Sequence, residues 1–267
     1  MTSSAVAPRL ANIRLHPIKS LDPVQVQGAR IGPGGGLEFD RAWALYSVDG
    51  QWVRGKRTAA VHLIRAAFAP DVSSVTLSVP GDRRKIPAKT FAFPGDAAVA
   101  SDWFSNFFEQ PITVRYSTEG FPDDDIANGP TIISTASLQT ICDLFSGMEL
   151  DVVRQRFRTT LEIEGVPAFW EDQLFGEEER SAVRFRIGEV YFEGSNPCVR
   201  CPVPSRDPRT GEVIPGFQKI LSDYRRSHIP VWCPESRFDH YYRLATNTRI
   251  ASSEAGKLLR VGDALFL

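Results

Sequence analysis

Asp49-Gly50 joins "AWALYSV" to "QWVRG", and a two-residue turn of this composition commits its flanks to an antiparallel hairpin, because its central positions need the positive φ that Asp and Gly tolerate. The same grammar fills the first third of the chain. "NIRLHPIKSL", "VQVQGARIG" and "SVTLSVPGD" are short, rich in β-forming residues and bounded by Gly, Pro and Asp. In the last third, "RFRIGEVYFEG" and "LLRVGDALFL" share a strand, Gly-acid turn, strand outline, which predicts two similar hairpins of a closed or nearly closed barrel. "IGPGGGLEFD" reads as a loop rather than a phosphate cradle, since no helix pattern follows it.

Helices are few. "SDWFSNFFEQ" predicts one over 101–110, with a capping residue at its start and Pro111 closing it. In "STASLQTICDLFSG", Leu138, Ile141, Cys142 and Phe145 fall at helical spacing behind a Ser/Thr cap, which makes Cys142 a small buried core residue. "GFQKILSDYRRSH" is a third helix with its basic residues towards the C-terminal end, where the dipole favours them. The fold class is therefore mainly β with a few helices (α+β). A chain of 267 residues with 42% apolar content can bury a real core, as one large domain or two packed ones. The acidic, turn-rich "EGFPDDDIANGP" is the best boundary, giving 1–118 and 119–267.

Lys plus Arg number 31 against 32 for Asp plus Glu, a formal charge of −1, so no global positive field points to nucleic acid or an anionic membrane. Any anion site must be local. The first twenty residues have no uninterrupted apolar stretch and no run of eighteen apolar residues occurs, which predicts a cytoplasmic protein without a membrane span.

Two of only four cysteines fall in "NPCVRCPVPSRDPRTGE", at Cys198 and Cys201. A structural zinc site needs four N/S ligands; Cys142 and Cys233 are isolated, and His16, His62, His228 and His240 show no paired spacing, so zinc is a minor reading. A thioredoxin-type dithiol wants a helix N-terminus, which Pro202 and Pro204 oppose. An iron–sulfur cluster needs about four cysteinyl ligands close together. Two main readings stay open: inert thiols in a turn, or one thiolate on a soft metal centre whose other ligands come from a cofactor. In the second, Arg200 and Arg206 would favour the thiolate and the prolines would hold it in one orientation.

"NPCVRCPVPSRDPRTGE" resembles the signature of the MOSC domain, named for the C-terminal domain of molybdenum cofactor sulfurases. "RFRTTLEIEGVPAFWEDQLFG", "FRIGEVYFEG" and "LRVGDALFL" follow that family in order, while "LHPIKSL" and "GLEFDRAWALYSVDG" resemble the β-barrel domain that precedes it in the amidoxime-reducing component family and its bacterial relatives. The resemblance implies a β-barrel MOSC domain packed with an N-terminal β-barrel-like domain, and a pterin-dithiolene molybdenum cofactor between the two parts.

By motif match Cys201 is the metal ligand, with Cys198 close by. Lys19 and Ser20 of "HPIKS", Arg41 of "FDRAW" and Arg158 of "RFRTT" match positions that hold the cofactor's phosphate and pterin, and a guanidinium suits phosphate because it grips it bidentately. Thr160 stands where relatives often carry asparagine, and a hydroxyl replaces only part of an amide's hydrogen bonding. Asp125 of "PDDD" is the nearest match to an aspartate near the metal, with Asp123 and Asp124 competing for that position, and would relay protons. Glu171 and Asp172 in "FWEDQLF" also match a family motif and read as barrel-shaping residues beside Phe169 and Trp170.

The activity implied is a molybdenum-dependent oxidoreductase that reduces small N-hydroxylated or N-oxide substrates. No cluster-forming cysteines or haem signature is present, and the chain stops at Leu267 without the ferredoxin domain that some bacterial relatives carry. Electrons are therefore expected from a separate ferredoxin, flavoprotein or cytochrome. The alternatives are a cofactor or sulfur carrier using Cys201 without substrate turnover, and a module that has lost its cofactor.

Overall fold

The computed structural model describes residues 7–81, 86–121, 127–179 and 181–267. In the first part the strands are β1 (Arg9–Leu15), β2 (Val24–Val26), β3 (Gly28–Arg30), β4 (Trp43–Ser47), β5 (Arg65–Phe68), β6 (Ser74–Ser78), β7 (Lys89–Ala92) and β8 (Ile112–Tyr116), with helix α1 (Ala97–Phe108) before β8. The second part holds β9 (Ile132–Ser134), α2 (Thr135–Leu144), α3 (Leu150–Phe157), β10 (Leu161–Glu164), β11 (Val183–Ile187), β12 (Val190–Val199), α4 (Phe217–Ser227), β13 (Arg243–Arg249), β14 (Leu258–Arg260) and β15 (Leu265–Phe266). This is the expected mainly-β α+β class.

One eight-stranded sheet runs β15-β11-β12-β13-β9-β10-β1-β2, and its strands come from both sides of the expected boundary near residue 118. β1 pairs antiparallel with β10, setting Leu10 opposite Ile163 and Ile13 opposite Leu161, all four fully buried. The β9–β10 pair is parallel. Burial of these aliphatic faces supplies the main driving force for joining the halves, at about 25 cal/mol per Å² of apolar surface removed from water. A second apolar core gathers Leu138 and Ile141 of α2, Val153 and Phe157 of α3, and Phe217 and Leu221 of α4.

The Asp49-Gly50 turn forms as read: Gly50 has φ +73°, its N–H donates to the Ser47 carbonyl, and Ser47 N–H donates to Gln51 O. Its second arm is only the bridge from Tyr46 to Trp52, because β4 takes β8 as its full partner. The β11–β12 hairpin is also present. "LLRVGDALFL" corrects the second hairpin expectation: β14 pairs with β3 and β15 with β11, so the two arms part to different sheets.

Helix α1 starts four residues before the expected Ser101, since Ala97, Ala98 and Ala100 propagate a helix well. Ser101 is thus interior and its Oγ serves Ala97 O and Val114 N–H instead of a cap. Helix α2 is capped as expected, with Ser134 Oγ accepting from Ser137 N–H at 3.0 Å, and Cys142 is buried. In α4, Arg225 lies in the last turn but is fully buried, so it serves packing rather than a solvated helix end. Helix α3 was not expected, though Leu150, Val153 and Phe157 carry its apolar face. Among the described residues no helix is long and apolar enough to cross a membrane.

Candidate functional site: a cationic cleft at the cysteine loop

β12 carries the chain to the cysteines. Its register against β13 shifts between Gly194 and Asn196 and again between Pro197 and Val199, and such bulges turn a strand end away from the ladder. Cys198 and Cys201 leave this end into a cleft of about 780 Å³. No α-helix starts after Cys201; Pro202 leads into a single 3-10 turn at Val203–Ser205.

Side chains hold this loop as much as prolines do. Arg243 Nη1 donates to Pro197 O at 2.8 Å, and Arg156 Nη1 from α3 donates to Pro204 O at 3.1 Å and Arg206 O at 2.5 Å. Arg200 Nη2 donates to Phe157 O, while its Nη1 lies 3.2 Å from Cys198 Sγ. The guanidinium expected to favour the Cys201 thiolate therefore sits on Cys198. Arg206 donates to Gly211 O and lines a narrow neighbouring recess with Arg65 and His62. Cys201 itself is exposed.

Lys19, Ser20, Arg41, Arg158, Cys198 and Cys201 all line the one cleft. Three of them hold their backbones in the left-handed region: Ser20 at φ +75°, Arg41 at +53° and Arg158 at +53°. Non-glycine residues are uncommon there, and such strain concentrates at functional sites. Lys19 is anchored by its N–H to Trp43 O, and its Nζ donates to Phe121 O at 3.0 Å from 4.2 Å above the Trp52 ring. Arg41 donates to Asp40, whose Oδ1 accepts the His16 N–H at 2.8 Å. Arg158 is the C-terminal cap of α3.

Thr160 is not on the cleft wall. It is buried at the start of β10, where its N–H donates to Thr131 Oγ1 at 3.1 Å and its carbonyl accepts from Arg14 N–H, because the β1–β10 pairing turns it into the sheet. Asp125 lies outside the described residues, as do Asp123 and Asp124. Glu171 and Asp172 sit away from the cleft: Arg225 Nη2 donates to Asp172 Oδ2 at 2.5 Å, and burial, then the neighbouring Asp172 charge, pushes the Glu171 carboxyl up.

The cleft adds residues the motifs did not single out. Trp52, Arg54, Lys56, His62 and Arg156 line it, and against its cations stand Asp40 and Glu119. A chain with a net charge of −1 thus concentrates positive charge locally. The signal for Trp52 and Arg54 was present in "QWVRGKR", whose aromatic-basic alternation follows the hairpin turn.

His16 lies beneath the cleft, fully buried, with neither ring nitrogen hydrogen-bonded and Asp40 Oδ1 3.8 Å from Nδ1. Burial, then the nearby Arg158, Arg41 and Arg14 charges, hold its pKa well below the usual histidine value. The folded state therefore keeps His16 neutral where the unfolded chain takes up a proton, so stability present above about pH 6.5 is lost as pH falls below it. Urea unfolding of wild type and His16→Gln at pH 7 and pH 5 should differ in pH slope by up to about 1.4 kcal/mol per pH unit, with wild type the steeper. Equal slopes would place a proton on His16 in the folded state.

Among the described residues no group of three His, Cys, Asp or Glu side chains could hold a metal ion. One soft thiol beside convergent cations suits a metal that brings its own sulfur ligands and an anionic tail.

The chain matches the MOSC N-terminal beta barrel domain over residues 7–111 and the MOSC domain over residues 130–265. It belongs to the MOSC domain family. Its relatives include molybdenum cofactor sulfurases of Caenorhabditis elegans, 23% identical over 84% of this chain and 33% of that protein, and of Oryza sativa subsp. japonica, 23% identical over 81% and 31%. The Drosophila ananassae molybdenum cofactor sulfurase is 24% identical over 97% of this chain and 34% of its own length. The chain spans about a third of the length of these curated relatives.

Proposed function

We propose that this chain binds a pterin-dithiolene molybdenum cofactor in the cationic cleft and acts as an oxidoreductase on small N-hydroxylated or N-oxide substrates. The observation that carries the reading is the convergence of Cys201 with Lys19, Ser20, Arg41 and Arg158 on one cleft. Cys201 would be the protein's ligand to the metal, and the cations would hold the phosphate and pterin. When bound, the cofactor supplies a two-electron couple for taking oxygen from nitrogen.

The chain's own part is binding and orientation. The Arg156 and Arg243 clamps fix the loop that presents the thiol, and the left-handed backbones at Ser20, Arg41 and Arg158 aim their side chains before any ligand arrives. The net reaction consumes two electrons and two protons and yields the reduced nitrogen compound and water. The electrons would come from a separate ferredoxin, flavoprotein or cytochrome, Asp125 would relay protons, and the setting would be the cytoplasm.

The test is elemental analysis of protein from a host that makes molybdenum cofactor, wild type beside Cys201→Ala. Near-stoichiometric molybdenum in wild type and at least a tenfold loss in the variant is expected. Zinc or no metal in both would overturn the reading.

A second reading has its own support in the relatives, which are molybdenum cofactor sulfurases, and in the exposure of Cys201. In it, Cys201 carries sulfur or the cofactor is held for delivery. Failure to reduce benzamidoxime with a chemical electron donor, together with transfer of sulfur or cofactor to an acceptor enzyme, would favour it.

A further inference from the structure

Trp52, Arg54, Gly55 and Lys56 line the cleft together with the cysteine loop, and the segment is pinned at its centre. Gly55 N–H donates to Ser20 Oγ at 3.3 Å, and Gly55 O lies 3.1 Å from His62 Nε2. A Cβ at Gly55 would come within 3.3 Å of the His62 ring, so the backbone is seated closely against that ring and a side chain there would have to push it aside by a few tenths of an ångström. The residues on either side, Arg54 and Lys56, are thereby held on the cleft wall.

Arg54 differs from the other guanidiniums there. Arg156 and Arg200 direct Nη donors to backbone carbonyls and to Cys198. Arg41 donates to Asp40, and Arg158 also has interactions within the protein. Arg54 is half-buried with its Cζ 5.0 Å from the centroid of Trp52; its carbonyl accepts from the Arg57 and Thr58 N–H groups, but its guanidinium has no hydrogen-bond or ion-pair partner among the described residues. Attraction to an indole face holds a guanidinium in place while leaving its N–H groups available, which suits bidentate capture of an oxyanion. Trp52 is itself braced by Lys19 at 4.2 Å and by edge contacts to Tyr46 and Phe121.

We propose that Arg54, stacked on Trp52, is an oxyanion-gripping residue of the cleft that takes a phosphate or carboxylate group. The bearer of that group is either the cofactor or an anionic substrate, and for this assignment alone the inference rests on the function proposed above. The motif resemblance gives Arg54 no role, and its placement comes from the Gly55 seat and the Trp52 stack.

The first arm needs no cofactor. Isothermal titration of inorganic pyrophosphate into protein from a host unable to make the cofactor should give a dissociation constant roughly tenfold weaker for Arg54→Met than for wild type, the size expected for losing charge-assisted hydrogen bonds. Arg54→Lys, which keeps the charge but not the fork, should fall between them, and thermal melts verify that each variant folds. Wild type that does not bind pyrophosphate, or an Arg54→Met variant that binds it equally well, overturns the inference whatever becomes of the proposed function. The second arm assigns the source. A tenfold loss of molybdenum and pterin content in Arg54→Met from a cofactor-making host names the cofactor's phosphate. Retained cofactor with a tenfold fall in the kcat/KM preference for 4-carboxybenzamidoxime over benzamidoxime names the substrate.

Discussion

Replacing Asp172 by alanine is expected to destabilise the folded chain by about 3–5 kcal/mol, the cost of leaving a buried charge without its partner. Arg225 is fully buried in the last turn of α4, and its ion pair is to Asp172, itself only 2% exposed, at 2.5 Å. Two of its nitrogens, Nε and Nη1, have no hydrogen-bond partner, so the carboxylate and the rings of Phe169 and Phe238, at 4.1 and 5.5 Å, carry the compensation. Loss of the Asp172 carboxylate leaves the rings and the more distant carboxyl of Glu171. Urea unfolding should show the drop, and Asp172→Ala combined with Arg225→Met should recover most of it, because the double change removes the stranded charge. A double variant as unstable as the single would mean that packing around the aspartate, and not the charge, sets the cost. Cys233 offers a second readout: burial and then Asp172 push its thiol up to about 12, so alkylation of Cys233 should speed up once the aspartate is gone and Arg225 needs a counter-charge.

Asp172 lies with Glu171 in a segment that carries a motif resemblance, yet both sit off the cleft and tie elements of the fold together. Glu171 and Asp172 sit in a 3-10 turn with Thr246 Oγ1 donating to Glu171 O and Trp232 Nε1 to Phe169 O, so the turn joins β13 and the 230–234 loop to α4. The expectation that they shape the barrel follows from their aromatic neighbours, whereas Arg225 as the partner could not be read from local sequence, being fifty-three residues away. The same limit governs the sheet. Asp49-Gly50 and the Ser134 cap are local chemistry and were legible. The separation of "LLRVGDALFL" into strands paired with β3 and β11 is decided by which edges lie open, a property of the assembled fold.

Helix α3 escaped because its eight residues hold only four apolar ones among two arginines, a glutamine and an aspartate, too short a run for periodicity to speak. With it went Arg156, whose hydrogen bonds to Pro204 O and Arg206 O make the helix a strut for the cysteine loop. The prolines in "NPCVRCPVPSRDP" announced a rigid loop, but the rigidity also comes from arginines donated across the fold. For the site, Lys19, Ser20, Arg41, Arg158, Cys198 and Cys201 meet in one cleft, Thr160, Glu171 and Asp172 lie off it, Asp125 falls outside the described residues, and Trp52 and Arg54, which no motif assigned, also line it.

Arg158→Gly should separate folding from ligand retention more cleanly than any other change in the cleft. Arg158 caps α3 with φ +53° and its N–H donating to Arg154 O, the position and conformation that helices usually give to glycine. An arginine there bears a left-handed backbone strain of about 1 kcal/mol, and glycine relieves it while adding a similar entropy to the unfolded chain. Stability should therefore stay within about 1 kcal/mol of wild type by urea unfolding. His16, whose pKa is held down in part by Arg158, should become easier to protonate, which softens the acid-side loss of stability described above. On the cofactor reading proposed above, molybdenum and pterin content should nonetheless fall at least tenfold, because a guanidinium able to grip a phosphate bidentately is gone from the cleft. A variant that keeps its cofactor while gaining stability would show the strain to be an accident of the helix end; a variant that loses both would make Arg158 a structural cap whose side chain the fold requires.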